Sequence, residues 1–209
     1  MTWTALVPLK GSGERKTRLA GRLDERQRRR LSQQLFTHVA CVLNSSAVLF
    51  QVLVLSDVRP EGWDGPLIFD EGRGLNSELR SFVRELGPRP LLVIHADLPL
   101  LSTEDIAILL AEADGGCAIA PDRHGSGTNA IALHNPTGFA FAFGAKSFVR
   151  HITAAEGRAR IVRRPGLGLD IDTPHDLDAA IALGAPISPS YCCKGRGGQE
   201  VRDAGQSHN

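Results

Sequence analysis

Leu91-Leu92-Val93-Ile94-His95-Ala96-Asp97-Leu98-Pro99-Leu100 decides how the rest of the chain is read. Four consecutive aliphatic residues without polar alternation predict a strand covered on both faces, as in a parallel sheet flanked by helices. Asp97 follows that strand after two intervening residues and precedes a proline-stiffened turn. In open α/β sheets, ligands bind beyond the carboxyl ends of the strands, so Asp97 stands where a ligand is expected. An aspartate there could simply cap a turn. The next helix, however, brings its own cap in Ser102-Thr103-Glu104-Asp105, a hydroxyl followed by acids in the first turn.

The same alternation of apolar run, polar loop and helical pattern extends in both directions. Upstream, Leu6-Val7-Pro8-Leu9, Val52-Leu53-Val54-Leu55 and Pro66-Leu67-Ile68-Phe69 read as strands. Between them, Asp24–Leu43 reads as an amphipathic helix with Leu31, Leu35, Val39 and Val42 near one face, and Asn76–Leu86 as another helix. Downstream, Cys117-Ala118-Ile119-Ala120 and Ala130-Ile131-Ala132-Leu133 read as strands. Ser147 heads a helix, and Thr173-Pro174 opens the last one, with proline at its first position. Alternation of this kind implies a mostly parallel sheet with helices on both faces. Residues 1–185 form the expected domain. Residues 186–209, glycine-rich and poor in large apolar side chains, read as a mobile polar tail.

Composition narrows the function classes. Lys plus Arg total 24 against 23 Asp plus Glu, a balance that argues against a general nucleic-acid binder while allowing a local anion site. No apolar run approaches the roughly 20 residues that span a bilayer, and the N-terminus lacks the form of a signal peptide. Of the cysteines, Cys192 and Cys193 are adjacent and no CxxC occurs, so zinc is not expected and a reducing cytoplasm is the simplest setting.

Two further strand ends carry chemistry. After the first strand, Lys10-Gly11-Ser12-Gly13-Glu14-Arg15-Lys16-Thr17-Arg18 combines glycines with four cations, a composition suited to a polyphosphate or to a solvated basic loop. It is not a Walker A loop, because Arg15 stands where glycine is required, and Lys16 occupies the third position of a would-be GxGxxG. Near the other end, Leu169-Asp170-Ile171-Asp172-Thr173-Pro174 places two acids on one side of an extended segment. Two such charges repel unless a cation or strong donors lie between them. Together with Asp97 they make a candidate site for a divalent metal, and Thr173 takes the helix-capping role. Gly125-Ser126-Gly127-Thr128-Asn129 and Phe143-Gly144-Ala145-Lys146-Ser147 could each recognise a second anion or be ordinary turns. Asn76, in Gly74-Leu75-Asn76-Ser77, could contact a base or cap a helix. His95 reads as a packed residue, and His124, His151 and His175 as surface or helix-lining ones.

Taken in order, LVPLKGSGERKTRL, GLNSEL, HADLPLLS, APDRHGSGTNA, FGAKSFVRH and LDIDTPHDL resemble the 2-phospho-L-lactate, phosphoenolpyruvate or 3-phosphoglycerate guanylyltransferases of coenzyme F(420) biosynthesis. The resemblance runs from the first strand to about Leu183. It implies a single α/β, Rossmann-like nucleotidyltransferase domain that uses GTP, Mg2+ and a small phosphorylated three-carbon acid. By motif it places Asp97, Asp170 and Asp172 at magnesium, and Thr128, Gly144 and Ser147 at the acceptor. Lys10, Gly11, Lys16 and Asn76 fall on the nucleotide side, with Lys10, Lys16 and Asp97 as the catalytic set. It implies no nucleic-acid or membrane partner, and a homodimer is compatible with it. Two alternatives remain: a related nucleotidyltransferase with a molybdenum-cofactor or sugar-phosphate type of acceptor, and a non-catalytic nucleotide-binding module.

Overall fold

The computed structural model describes residues 2–10 and 16–187. Gly11 and the tail from residue 188 onward, with Cys192 and Cys193, lie outside the described residues. In chain order the elements are β1 (Trp3–Pro8), a short 3-10 turn (Thr17–Leu19), α1 (Glu25–Asn44), β2 (Leu49–Ser56), β3 (Leu67–Phe69), α2 (Leu75–Leu86) and β4 (Leu91–Ile94). There follow α3 (Thr103–Glu112), β5 (Cys117–Pro121), β6 (Thr128–Leu133), α4 (Ser147–Ala154), β7 (Ala159–Ile161), α5 (Pro165–Gly168) and α6 (Pro174–Ala182).

The strands form one sheet in the order β3-β2-β1-β4-β6-β5-β7. All neighbours pair in parallel except β6, which runs antiparallel to both β4 and β5. Strand periodicity sends alternate side chains to opposite faces. Ala5, Val7, Val52, Val54, Leu92 and Ile94 pack beneath α1 and α3, against Phe36, Val39, Ile106 and Leu109. Leu6, Leu53, Leu55, Leu91 and Val93 face the other way, toward Leu79, Phe82, Val83 and Leu86 of α2. With both faces covered, β4 is fully buried along its length. A third cluster joins Leu31 and Leu35 of α1 to Ile171 and to Leu177 and Ala180 of α6, with Ala185 and Ile187 still packed against it.

The helix starts follow their capping residues. Asp24, Ser102 and Thr173 each close a reciprocal capping box, with Gln27, Asp105 and Asp176 respectively. Thr173 therefore caps α6 and leaves Asp172 unneeded for that role. The strand β7 and the one-turn helix α5 have no counterpart in the sequence reading. No helix among the described residues is long and apolar enough to cross a membrane.

Candidate active site

The β4 strand ends at Ile94, and the loop beyond it delivers Asp97 to the carboxyl edge of the sheet. The segment from Leu169 to Asp172 runs alongside this loop. The Ile171 N–H donates to the Asp97 carbonyl at 3.3 Å, and the Ile171 side chain is wholly buried. Anchoring the intervening residue on both counts turns Asp170 and Asp172 toward Asp97. Ligand atoms of Asp97, Asp170 and Asp172 all lie within 4.8 Å of one another. The three carboxylates expected from separate parts of the sequence thus converge into one acidic group that could hold a metal ion.

Their surroundings differ. The Lys16 ammonium donates to Asp97 Oδ2 at 3.0 Å and to the Ile171 carbonyl, and lies 3.8 Å from Asp172 Oδ1. Only 8% of its side chain is exposed, so this is a desolvated charge held among carboxylates. Lys16 reaches the cluster from a left-handed backbone conformation, φ 52° and ψ 47°. Burial, the largest influence on Asp97, pushes its carboxyl upward, but Lys16 and then His95 outweigh it and hold the group below its ordinary value. Burial followed by the Asp97 charge raises Asp170, which Asp172 reinforces and the Asn129 side chain opposes. Neighbouring acids driven in opposite directions mark a charged, partly dehydrated site. One atom is conspicuous: Asp97 Oδ1 is buried and has no hydrogen-bond donor among the described residues.

A supporting layer fixes this geometry. Asn129 Nδ2 donates to Asp170 Oδ1 at 3.2 Å and to the Leu167 carbonyl at 3.0 Å, joining the start of β6 to α5. Asp176 Oδ2 accepts from the backbone N–H of Asp172 at 3.1 Å and of Thr173 at 2.7 Å, and its other oxygen pairs with Arg123. Burial opposes ionisation of Asp176, yet these donors hold it below its ordinary value.

Because β6 is reversed, its first residues rather than its last reach the same edge. Thr128 and Asn129 are buried there, and the Asn129 carbonyl accepts from His95 N–H at 2.9 Å. Ser147, the first residue of α4, is also buried, whereas Gly144 is exposed at φ 118°, a conformation suited to glycine. The amides of these segments are less available than the sequence predicts. Asp122 accepts from Ser126 and Gly127 N–H at 2.8 and 2.7 Å, so an internal carboxylate fills that turn. Ser147 and Phe148 N–H donate to the carbonyls of Gly144 and Ser126. Lys10 stands exposed two residues past β1.

Two residues differ from their expected settings. Asn76, read as facing a base or capping, turns both ends of its amide to Phe143: Oδ1 accepts from Phe143 N–H at 2.7 Å and Nδ2 donates to its carbonyl at 3.0 Å. The α2 cap is Gly74 instead. His151, read as a surface or helix-lining residue, has no exposed surface and bonds Thr128 and the Ala142 backbone. Neither His151 nor Asn129 was singled out for a role in the sequence, although GSGTN and FGAKSFVRH contain them. His95 packs as expected, 5.6 Å from the Phe143 ring.

Strand-end carboxylates beside a buried lysine, on a parallel sheet interrupted by one reversed strand, suit a divalent metal and a polyphosphate, the needs of a nucleotidyltransferase. Solved structures bear out the fold. A putative nucleotide-diphospho-sugar transferase from Desulfovibrio desulfuricans superposes with a TM-score of 0.70 at 15% identity, covering 90% of each chain. A nucleotidyl transferase from Methanothermobacter does so at 0.61 and 16% identity, covering 88% of this chain and 99% of that one. The family model described as "Guanylyl transferase CofC like" matches residues 3–188. The phosphoenolpyruvate guanylyltransferase of Sphaerobacter thermophilus is 39% identical over 91% of this chain and 97% of its own length. That of Conexibacter woesei is 37% identical over 86% and 87%. The chain belongs to the CofC-like guanylyl transferase family.

Proposed function

We propose that the protein transfers GMP from GTP to phosphoenolpyruvate with release of pyrophosphate, as a step toward coenzyme F(420). The observation that carries this reading is the group Asp97, Asp170 and Asp172 with Lys16 among them, in a chain whose relatives are named phosphoenolpyruvate guanylyltransferases. The acidic group also fits a divalent ion: the buried Asp97 Oδ1 lacks a donor among the described residues, and an all-oxygen set suits magnesium. Asp97, Asp170 and Asp172 would hold Mg2+. When bound, it would supply positive charge against the triphosphate.

The chain's own residues account for the rest. An oxygen of the acceptor phosphate attacks the α-phosphorus of GTP and forms the new P–O bond. The bond from that phosphorus to the bridging oxygen breaks, and the electron pair leaves with pyrophosphate. Both reactants are polyanions, so the barrier lies in bringing them together, and Lys10 and Lys16 supply charge for that approach. The acceptor phosphate is already ionised, so the step needs no general base and no covalent enzyme intermediate. Thr128, Gly144 and Ser147 bind the acceptor.

The test is pyrophosphate release from GTP and Mg2+ with phosphoenolpyruvate, 2-phospho-L-lactate or 3-phospho-D-glycerate, followed by mass spectrometry of the product. Turnover with phosphoenolpyruvate is expected. Preference for another of the acids would reassign the acceptor, and no turnover with any would overturn the reaction.

A further inference from the structure

We propose that Asn76 and His151 are positioning residues that together preset the Ala142–Ser147 segment for the acceptor, so that Asn76 serves the acceptor side of the reaction. This inference rests on the proposed reaction, which it extends to two further side chains. Residues 142–146 of the segment lie between β6 and α4 and belong to neither, and Ser147 opens α4, so the backbone groups before the helix need partners from outside. Three such groups, on two adjacent residues, obtain them from two different helices. Ala142 N–H donates to His151 Nε2 at 2.9 Å, from α4. Phe143 N–H and carbonyl are both taken by the Asn76 amide, from the first turn of α2. No water is required for any of them. The Phe143 ring completes the hold, 4.7 Å from His151 and 5.6 Å from His95, which stands two residues before Asp97.

His151 does a second job that its hydrogen bonds define. Nε2 accepts a backbone N–H, so it carries the lone pair and the ring proton sits on Nδ1. Nδ1 lies 3.0 Å from Thr128 Oγ1, which must then accept. The Thr128 hydroxyl thereby spends a lone pair on His151 and keeps its own proton to donate, the polarity an anionic acceptor needs. A ring whose charging is opposed by burial suits this fixed tautomer, since His151 lies well below its ordinary value, at about 4. The clasp thus sets both a backbone segment and a hydroxyl direction.

Steady-state kinetics with GTP, Mg2+ and phosphoenolpyruvate, varying each substrate, test the assignment. Asn76→Ala and His151→Phe should each raise the acceptor KM by about tenfold, the scale of one or two net hydrogen bonds. The GTP KM should stay within about twofold. His151→Gln, whose side-chain oxygen can accept the Ala142 N–H, should recover part of the loss. An Asn76→Ala variant that raises the GTP KM and spares the acceptor KM overturns the proposal and returns Asn76 to the nucleotide. Unchanged acceptor KM in both variants overturns it as well. Asn76 is partly exposed, so its variant decides the matter even if His151→Phe does not fold. Hydrogen exchange at Phe143 N–H, slow in the parent and fast in Asn76→Ala, reads the clasp without catalysis. Equal exchange in the two proteins would overturn the proposal, whereas a parent inactive on all three acids would fault the reaction alone.

Discussion

Individual side chains in the site carry opposing demands. Asp172 is half exposed, while Asp170 is raised by burial, by Asp97 and by Asp172 itself. Asp172→Ala should therefore cost turnover by about a hundredfold or more, the loss of several kcal/mol of charge stabilisation. Folding stability should stay equal or rise slightly, because a repulsion disappears with the ligand. Pyrophosphate assays beside urea denaturation check both halves. His151 makes a second, pH-dependent prediction. Its folded value near 4 lies below the ordinary 6.5, so between those limits the unfolded chain takes up a proton that the buried ring refuses. Stability from this residue is complete above pH 6.5 and is lost as pH falls toward 4, by about 3 kcal/mol. His151→Phe should show a shallower fall between pH 7 and 4 than the parent. Parallel curves would remove His151 as the source.

At the scale of elements, the one-turn helix α5 aims Asp170. It is fixed by Arg164, which pairs with Asp105 and Glu104 of α3, and by close approach at Gly166. A Cβ on Gly166 would lie 2.7 Å from the Leu100 carbonyl and would also strike the Asp105 carboxylate. Gly166→Ala should destabilise by about 1–3 kcal/mol, measured by denaturant midpoint, and should weaken activity because Asp170 shifts with the helix. A fully stable, fully active variant would show that α5 yields easily. The elements also explain what the sequence made legible. The strand β4 is read to the residue because helices cover both faces and nothing polar interrupts it. The strand β7 escapes notice because Ala159–Ile161 is a three-residue edge strand, largely exposed, without an apolar pattern. His151 escapes for the opposite reason. On α4 the apolar Phe148 and Ile152 pack against the core only in part, and Val149 is 61% exposed. The polar Ser147 and His151 are the fully buried pair, which hydrophobic periodicity does not reveal. The aspartates were legible as acids at strand ends; Lys16 among them was not, because its placement joins residues 81 and 155 positions apart.

For the whole molecule, the acidic cluster keeps a repulsion, offset in part by Lys16, that a divalent cation would relieve further. A ligand binding only the folded state raises stability by mass action, about 2.7 kcal/mol at a hundredfold excess over its Kd. Mg2+ should accordingly raise the melting midpoint by roughly 5–10 °C in a chain of this size. Asp170→Asn should abolish most of that rise. An equal rise in the variant would place the ion elsewhere, and differential scanning calorimetry reads the outcome without any substrate.

The lone reversed strand has a consequence for how the molecule could diversify. Residues 122–127 join β5 to β6 as a short return, too short for the crossover that parallel strands need. That return delivers the beginning of a strand to an edge otherwise built from strand endings. Under the proposed reaction, GTP is handled by loops after β1 and β4, and the acceptor by the stretch from Asp122 through α4. Two independently variable inheritances thus meet at three carboxylates. A lineage could rewrite which acid it accepts by exchanging that cassette together with Asn76, which clasps it from outside, leaving its allegiance to the donor untouched.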